Sequence, residues 1–180
     1  MRIDRSDSLF VVVDVQARLF PHIAENEKLL QKSLTLIEGM KTLGVKTVAT
    51  EQYVKGLGET LPDIQQVLGN SKRIEKMSFS CCGEADFVLE MEEHYRKNVI
   101  LCGIETHVCV LQTAIDLQAA GHQAVVVVDA VSSRNLEDKE LALRRMEKEG
   151  VILASVESIL LELCKVSGTD EFRAISKLIK

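Results

Sequence analysis

Asn98-Val-Ile-Leu-Cys-Gly-Ile-Glu-Thr-His-Val-Cys109 is the stretch on which the fold turns. Its first half is a short, continuous apolar run ending in glycine, the pattern of a strand buried on both faces. Its second half opens a helix: Thr106 has N-cap chemistry, and Val110, Leu111, Ala114, Ile115 and Leu117 make the following turns apolar on most sides, so this helix is expected to be central. A doubly buried strand feeding a buried helix is half of a βαβ unit, the unit from which parallel sheets are built. Cys109 then becomes the third residue of the first helical turn, beyond the carboxyl end of the strand. There the unpaired backbone N–H groups and the helix dipole favour a thiolate over a thiol.

The same construction recurs on either side. Met40-Lys-Thr-Leu-Gly44-Val-Lys-Thr-Val-Ala-Thr50, Gln118-Ala-Ala-Gly121-His-Gln-Ala-Val-Val-Val-Val128 and Glu149-Gly150-Val-Ile-Leu-Ala154 each read as helix, glycine, then a β-branched run. Glycine supplies a left-handed C-cap and the run is a strand. Strands are expected near residues 8–14, 45–50, 72–76, 98–103, 123–128 and 151–154. Helices are expected near 26–43, 84–96, 107–120, 137–149, 155–164 and 169–178. In the first helix Leu30, Leu34, Ile37 and Met40 share a face. The charges of Lys72-Arg-Ile-Glu-Lys76 suit an edge strand. The expected fold is α/β: a three-layer α-β-α sandwich on a mostly parallel six-stranded sheet, in the Rossmann-like order 3-2-1-4-5-6.

Composition narrows the function. The 180 residues suit a single domain, 1–180, and no Pro-, Ser- or Gly-rich linker divides them. A formal net charge of −5 and no basic block longer than two residues argue against a nucleic-acid partner. No apolar run is long enough for a membrane span, and Met1-Arg-Ile-Asp-Arg-Ser-Asp does not read as a secretion signal. Five cysteines, an odd number scattered through apolar elements, favour reduced thiols and a cytoplasmic location.

In open α/β sheets, ligands bind beyond the carboxyl ends of the strands, where strand order reverses. The order above sets strands 1 and 4 side by side at that reversal. Leu9-Phe-Val-Val-Val-Asp14 ends the first on a carboxylate, and Cys109 follows the fourth. A thiol needs a base or a positive neighbour to act at neutral pH. Asp14 can accept its proton, and Lys76, at the carboxyl end of the third strand, can hold both partners charged. Each has an ordinary explanation when taken singly: a turn aspartate, a solvated lysine, a core cysteine. Their convergence on one face is what points to chemistry.

With these residues in view, the chain resembles the isochorismatase-like cysteine hydrolases, a superfamily that includes nicotinamidases and N-carbamoylsarcosine amidohydrolase. The matching pieces are Val12-Val-Asp14-Val-Gln16 with Phe20 beyond it, Lys76-Met-Ser-Phe79-Ser80, and Gly103-Ile-Glu-Thr106-His-Val-Cys109-Val110. Val128-Asp129-Ala130-Val-Ser132-Ser133 is similar to the family's fifth strand and loop. Thr50-Glu-Gln-Tyr53 and Lys55-Gly-Leu-Gly58 resemble the isochorismatase domain-containing subgroup. The resemblance implies a catalytic triad of Asp14, Lys76 and Cys109, and attack by Cys109 on a carbonyl or similar carbon. It also implies a cis peptide between Ile104 and Glu105, with the backbone N–H groups of Glu105 and Cys109 forming the oxyanion hole. Phe20, Glu51, Tyr53, Phe79 and His107 are the candidate substrate-binding residues.

Two departures sharpen the expectation. Metal-dependent nicotinamidases carry an Asp-x-His…His set after the second strand. Glu51, Gln52 and Tyr53 stand there, and none of His22, His94, His107 and His122 lies in that segment. No metal and no other cofactor is therefore expected. Isochorismatase itself does not use a cysteine at the Cys109 position, so acyl transfer on a small amide, ureide or related compound is expected instead. The resemblance further implies a homo-oligomer, with Ile159, Leu160, Leu161 and Leu163 of a late helix as contact residues. Cys81 and Cys82 are expected to pack near the site, and Cys102 and Cys164 in the core. The alternatives are a non-catalytic interaction protein that retains the fold and a thiol-based redox protein using Cys81, Cys82 or Cys109.

Overall fold

Alternation along the first strand sets the layers. In β1 (Ser8–Val13), buried over its whole length, Leu9, Val11 and Val13 enter one core while Phe10 and Val12 enter another. The computed structural model describes residues 1–94 and 96–180, without the side chains of Glu93 and His94. Five more strands flank β1: β2 (Lys46–Gln52), β3 (Lys72–Lys76), β4 (Asn98–Ile104), β5 (Gln123–Ser132) and β6 (Ile152–Ala154). All neighbours pair in parallel, in the order β3-β2-β1-β4-β5-β6. The expected sheet, its reversal between β1 and β4, and the charged edge strand are all present.

Helices cover both faces. On one, α1 (Asn26–Thr42), α3 (Pro62–Leu68), α7 (Val156–Cys164) and α8 (Asp170–Leu178) pack over Phe10, Val12, Ala49, Ile100 and Val125. On the other, α4 (Ala85–His94), α5 (Leu111–Ala119) and α6 (Leu136–Lys148) pack over Leu9, Val11, Val48, Leu101 and Val126. Removing a leucine-sized side chain from water contributes about 1.5–3 kcal/mol, so these two apolar layers are the main source of stability. Gly39 of α1 lets α7 approach, since a Cβ there would sit 2.5 Å from Leu160 Cδ2.

Several expectations need correction. The α1 face centres on Leu29, Leu36, Ile37 and Met40, while Leu30 and Leu34 are half-buried at its margin. Residues 54–68, to which no helix or strand was assigned, hold a short α2 (Val54–Leu57) and α3, whose proline stands in the first turn where its missing N–H has no intrahelical role. Strand β5 runs on to Ser132, past an irregularity opposite Leu101 and Gly103. Ile159, Leu160 and Leu163 of α7 are fully buried in the core and cannot supply a subunit contact. The share of the expected helix 84–96 that falls on Tyr95 lies outside the described residues.

Candidate active site

Where β1 ends, the chain turns sharply. Asp14 has φ of 52° and its N–H donates to the Thr50 carbonyl at 3.1 Å. Next to it, Gly103 of β4 has φ of 117°, and a Cβ there would lie 2.0 Å from the Val13 carbonyl oxygen. Only glycine lets β4 come this close to the strand end that carries the carboxylate.

Asp14 is fully buried, yet both of its oxygens are engaged. Oδ1 accepts from the Thr50 hydroxyl at 2.7 Å, and Oδ2 lies 2.8 Å from Lys76 Nζ. Lys76 is only 1% exposed. Its ammonium donates to Gln52 Oε1 at 2.6 Å, the Phe79 carbonyl at 3.0 Å and the Ser78 carbonyl at 3.1 Å. An ammonium has three hydrogens, so the contact with Asp14 Oδ2 is one of charge rather than a directed hydrogen bond. Oδ2 thus keeps capacity to accept from another donor.

Cys109 lies within reach of the Asp14 charge: its pKa is pushed up to about 12, first by burial and next by Asp14, with Lys76 opposing. Burial works against the Lys76 ammonium, but Asp14 and Cys109 together hold its pKa above the usual lysine value. The resting site is therefore a neutral thiol between a carboxylate and an ammonium. Burial and the neighbouring anion thus act on Cys109 in the direction opposite to the one expected from its place at a helix start.

The helix start also differs in geometry. Thr106–Val110 form a π turn, capped by Glu105, whose carbonyl accepts from Val108 N–H at 3.1 Å and Val110 N–H at 3.2 Å. Thr106 lies inside this turn and caps nothing; its hydroxyl is buried without a partner. Single π turns inside helices recur at functional sites. The Ile104–Glu105 peptide is cis. Glu105 Oε1 accepts from both Arg134 N–H and Arg134 Nε at 3.0 Å, which fixes the side chain beside the backbone N–H expected in the oxyanion hole.

The candidate substrate residues fare differently. Phe79 is 56% exposed and Tyr53 44% exposed, beside the loop that ends β3; the Tyr53 N–H donates to the Lys76 carbonyl at 2.9 Å. His107 is half-buried, with Nδ1 2.9 Å from Ser133 Oγ. Phe20 packs against Ile23, Leu29 and Ile104. Glu51 is engaged elsewhere, since its Oε1 accepts from both the N–H and the hydroxyl of Thr60 at 2.7 Å. Alternation along β2 sends Thr50 and Gln52 to the site and Glu51 to the opposite face.

Sequence reasoning gave no role to Thr50, Gln52 and Gln16, whereas Cys81 packs near the site as expected. Gln16 and Gln52 lock together: the Gln52 N–H donates to Gln16 Oε1 at 2.7 Å, and Gln16 Nε2 donates to the Gln52 carbonyl at 2.9 Å. The parity of β2 was the available signal for Thr50 and Gln52. Cys81 is fully buried, with Sγ 3.9 Å from Thr50 Oγ1. All five cysteines are free thiols. Among the described residues, no cluster of three or more His, Cys, Asp or Glu side chains is arranged to hold a metal, and no helix is long and apolar enough to cross a membrane.

The family model described as the isochorismatase domain matches residues 8–158. The chain is 39% identical over 182 residues to the secreted isochorismatase effector Isc1 of Phytophthora sojae, covering 96% of this chain and 84% of that protein. It is 36% identical over 182 residues to isochorismatase domain-containing protein 2A of Mus musculus, covering 99% and 85% respectively. A solved structure named MAR1 ribonuclease, from Caenorhabditis elegans, superposes with a TM-score of 0.93 at 39% identity, covering 99% of this chain and 92% of the other.

Proposed function

This chain belongs to the isochorismatase family, and from that premise we propose that it is a cysteine-dependent hydrolase of a small amide, ureide or related acyl compound. The observation that carries the reading is the dry Asp14 carboxylate, held by Lys76 Nζ at 2.8 Å with Oδ2 accepting no hydrogen bond, and electrostatically coupled to the Cys109 thiol. With a substrate carbonyl against Cys109, Asp14 takes the thiol proton as sulfur attacks. The proton then passes to the leaving nitrogen as the tetrahedral adduct collapses to a thioester. Backbone N–H groups of Glu105 and Cys109 stabilise the oxyanion; each such donor is worth about 3–4 kcal/mol. Water, activated by the same carboxylate, releases the acid. No step calls on a metal or an organic cofactor.

The test is an amide and ureide panel read by mass spectrometry for an acyl adduct. Turnover and adduct should both vanish in Cys109→Ala while the protein stays folded. Full activity in that variant would sink the assignment. The name of the C. elegans relative favours a second reading, phosphodiester cleavage in RNA. A net charge of −5 gives little attraction for a polyanion, and RNA belongs in the same panel so that cleavage abolished by Cys109→Ala would replace the amide reading. A protein with neither activity would be an interaction module, and peroxide consumption without hydrolysis would mark a thiol redox protein.

The chain is further proposed to form a homo-oligomer through the exposed apolar residues Val88, Leu89, Leu136 and Leu141 of α4 and α6. Light scattering that gave the mass of one copy would overturn this. A cytoplasmic location agrees with five free thiols, although the Phytophthora relative is named as secreted; fractionation of the native host decides between the two.

A further inference from the structure

Cys81 is a buried thiol beside the reacting groups that the hydrolytic steps leave idle. Three contacts fix its place. Its backbone N–H donates to Thr113 Oγ1 at 2.9 Å. Thr113 stands four residues after Cys109, one turn further along the same helix face. Its sulfur lies 3.9 Å from Thr50 Oγ1, the hydroxyl that donates to Asp14 Oδ1 at 2.7 Å. Cys81 therefore sits between the helix face that carries the nucleophile and the carboxylate that serves it. The same charges reach both thiols: Asp14 raises and Lys76 lowers the pKa of Cys81 as of Cys109, after burial in each case. Cys81 opens a short 3₁₀ turn, Cys81–Gly83, rather than a long helix.

We propose that Cys109 is an oxidation site for small hydroperoxides and that Cys81 is its resolving thiol, closing a reversible Cys81–Cys109 disulfide. The inference rests on the reading that Asp14 deprotonates Cys109, but not on hydrolysis. In the first step Asp14 takes the thiol proton and the sulfur attacks a peroxide oxygen. An S–O bond forms and the O–O bond breaks. The sulfur is oxidised to a sulfenic acid, and the departing hydroxide, or alkoxide, takes the proton from Asp14. In the second step the Cys81 sulfur attacks the Cys109 sulfur. The S–S bond forms, the S–O bond breaks, and the hydroxyl leaves as water with the Cys81 proton. A dithiol restores both thiols.

Burial makes this division of labour possible. Cys109 is 7% exposed and Cys81 fully buried, so an oxidant from solvent meets the nucleophile first and leaves the second thiol in reserve. Without a resolving thiol, a sulfenic acid advances to the sulfinic state, which thiols do not reverse. Cys82, half-buried and acted on by Asp116 rather than Asp14, does not share this cluster.

The test uses the purified full chain, a few-fold excess of hydrogen peroxide, alkylation of the remaining thiols and mass spectrometry without reduction. A Cys81–Cys109 cross-linked peptide is expected, and dithiothreitol should recover both thiols. In Cys81→Ser and Cys81→Ala the cross-link should be absent and most Cys109 should persist as sulfinic acid after dithiothreitol. Cys82→Ser should still cross-link. Wild-type Cys109 left unoxidised, or oxidised with Cys81 still alkylatable, or linked to Cys82, would overturn the proposal. A cross-link without turnover on any amide would count against the hydrolase reading alone.

Discussion

Strand β3 carries a lysine at each end, and the molecule uses the two in opposite ways. At the amino end, Lys72 lies 3.1 Å from Glu90 and Lys46 adds a second contact at 3.2 Å; the carboxylate is buried, but the lysine side chains are 46% and 41% exposed. At the carboxyl end, Lys76 and Asp14 are both dry, with side chains 0% and 1% exposed. The first arrangement leaves its cations largely solvated and shares one anion between two of them. The second removes both charges from water and stations a protonated thiol beside them. A dry ion pair contributes little net stability compared with well-packed apolar groups, so its retention there is better explained by chemistry than by folding.

The largest expected effect therefore belongs to Lys76→Met. The substitution leaves a buried carboxylate without its counter-charge, and a broken buried pair costs about 3–5 kcal/mol. Urea denaturation measures this, and Lys76→Met combined with Asp14→Asn should recover part of the loss, because no bare charge remains. The pH dependence has a definite sign. Folding raises the Lys76 pKa, so the pair's contribution is full below the ordinary value of 10.5 and is lost as pH climbs through the higher folded value. The gap between wild type and variant should narrow only in strong base. A cost under about 1 kcal/mol would place this pair with the exposed ones and erase the contrast between the two ends of β3.

Asp14→Asn sharpens the comparison at the thiol. After burial, the Asp14 charge is the largest influence holding Cys109 up to about 12. Without that charge, and with Lys76 still present, the thiol pKa must fall. Each unit lost raises the thiolate fraction at pH 8 about tenfold. Iodoacetamide should therefore modify Cys109 faster in Asp14→Asn than in wild type, even as catalysis is lost. Slower modification would mean that Asp14 serves the sulfur as a base in the resting state rather than as a repelling charge.

The contrast also separates what the sequence could disclose from what it could not. The sheet order was legible because β1, β4 and β5 are apolar runs, Gly44, Gly121 and Gly150 mark the turns into β2, β5 and β6, and the crossover rules for such units leave few topologies. Asp14, Lys76 and Cys109 were legible because each ends a strand or opens a helix at the carboxyl edge. Thr50 and Gln52 could have been found from strand parity, which instead excludes Glu51. The π turn at Thr106–Val110 and the direction of the Cys109 pKa could not be read the same way. Both depend on desolvation and on distances between segments far apart in the chain, and local propensity carries neither. The α3 helix could have been found from Pro62 in its first turn and the i, i+3, i+4 spacing of Ile64, Val67 and Leu68.

The smallest effect should come from Lys72→Ala. Glu90 keeps Lys46 at 3.2 Å, and the lysine removed is nearly half exposed. Exposed or half-exposed pairs contribute about 0–1 kcal/mol and are screened by salt. Burial works to raise the Glu90 pKa, but the hydrogen bonds and charges of Lys72 and Lys46 bring it below its ordinary value of 4.5. That contribution is present above 4.5 and is lost as pH falls through the lower folded value. The cost of Lys72→Ala should accordingly fade in acid and shrink in molar salt, whereas that of Lys76→Met should persist in salt because its charges are screened by protein rather than by ions. Equal salt sensitivity in the two variants would mean that water reaches Asp14 as freely as it reaches Lys72, and the dry carboxylate on which the chemistry depends would be lost with it.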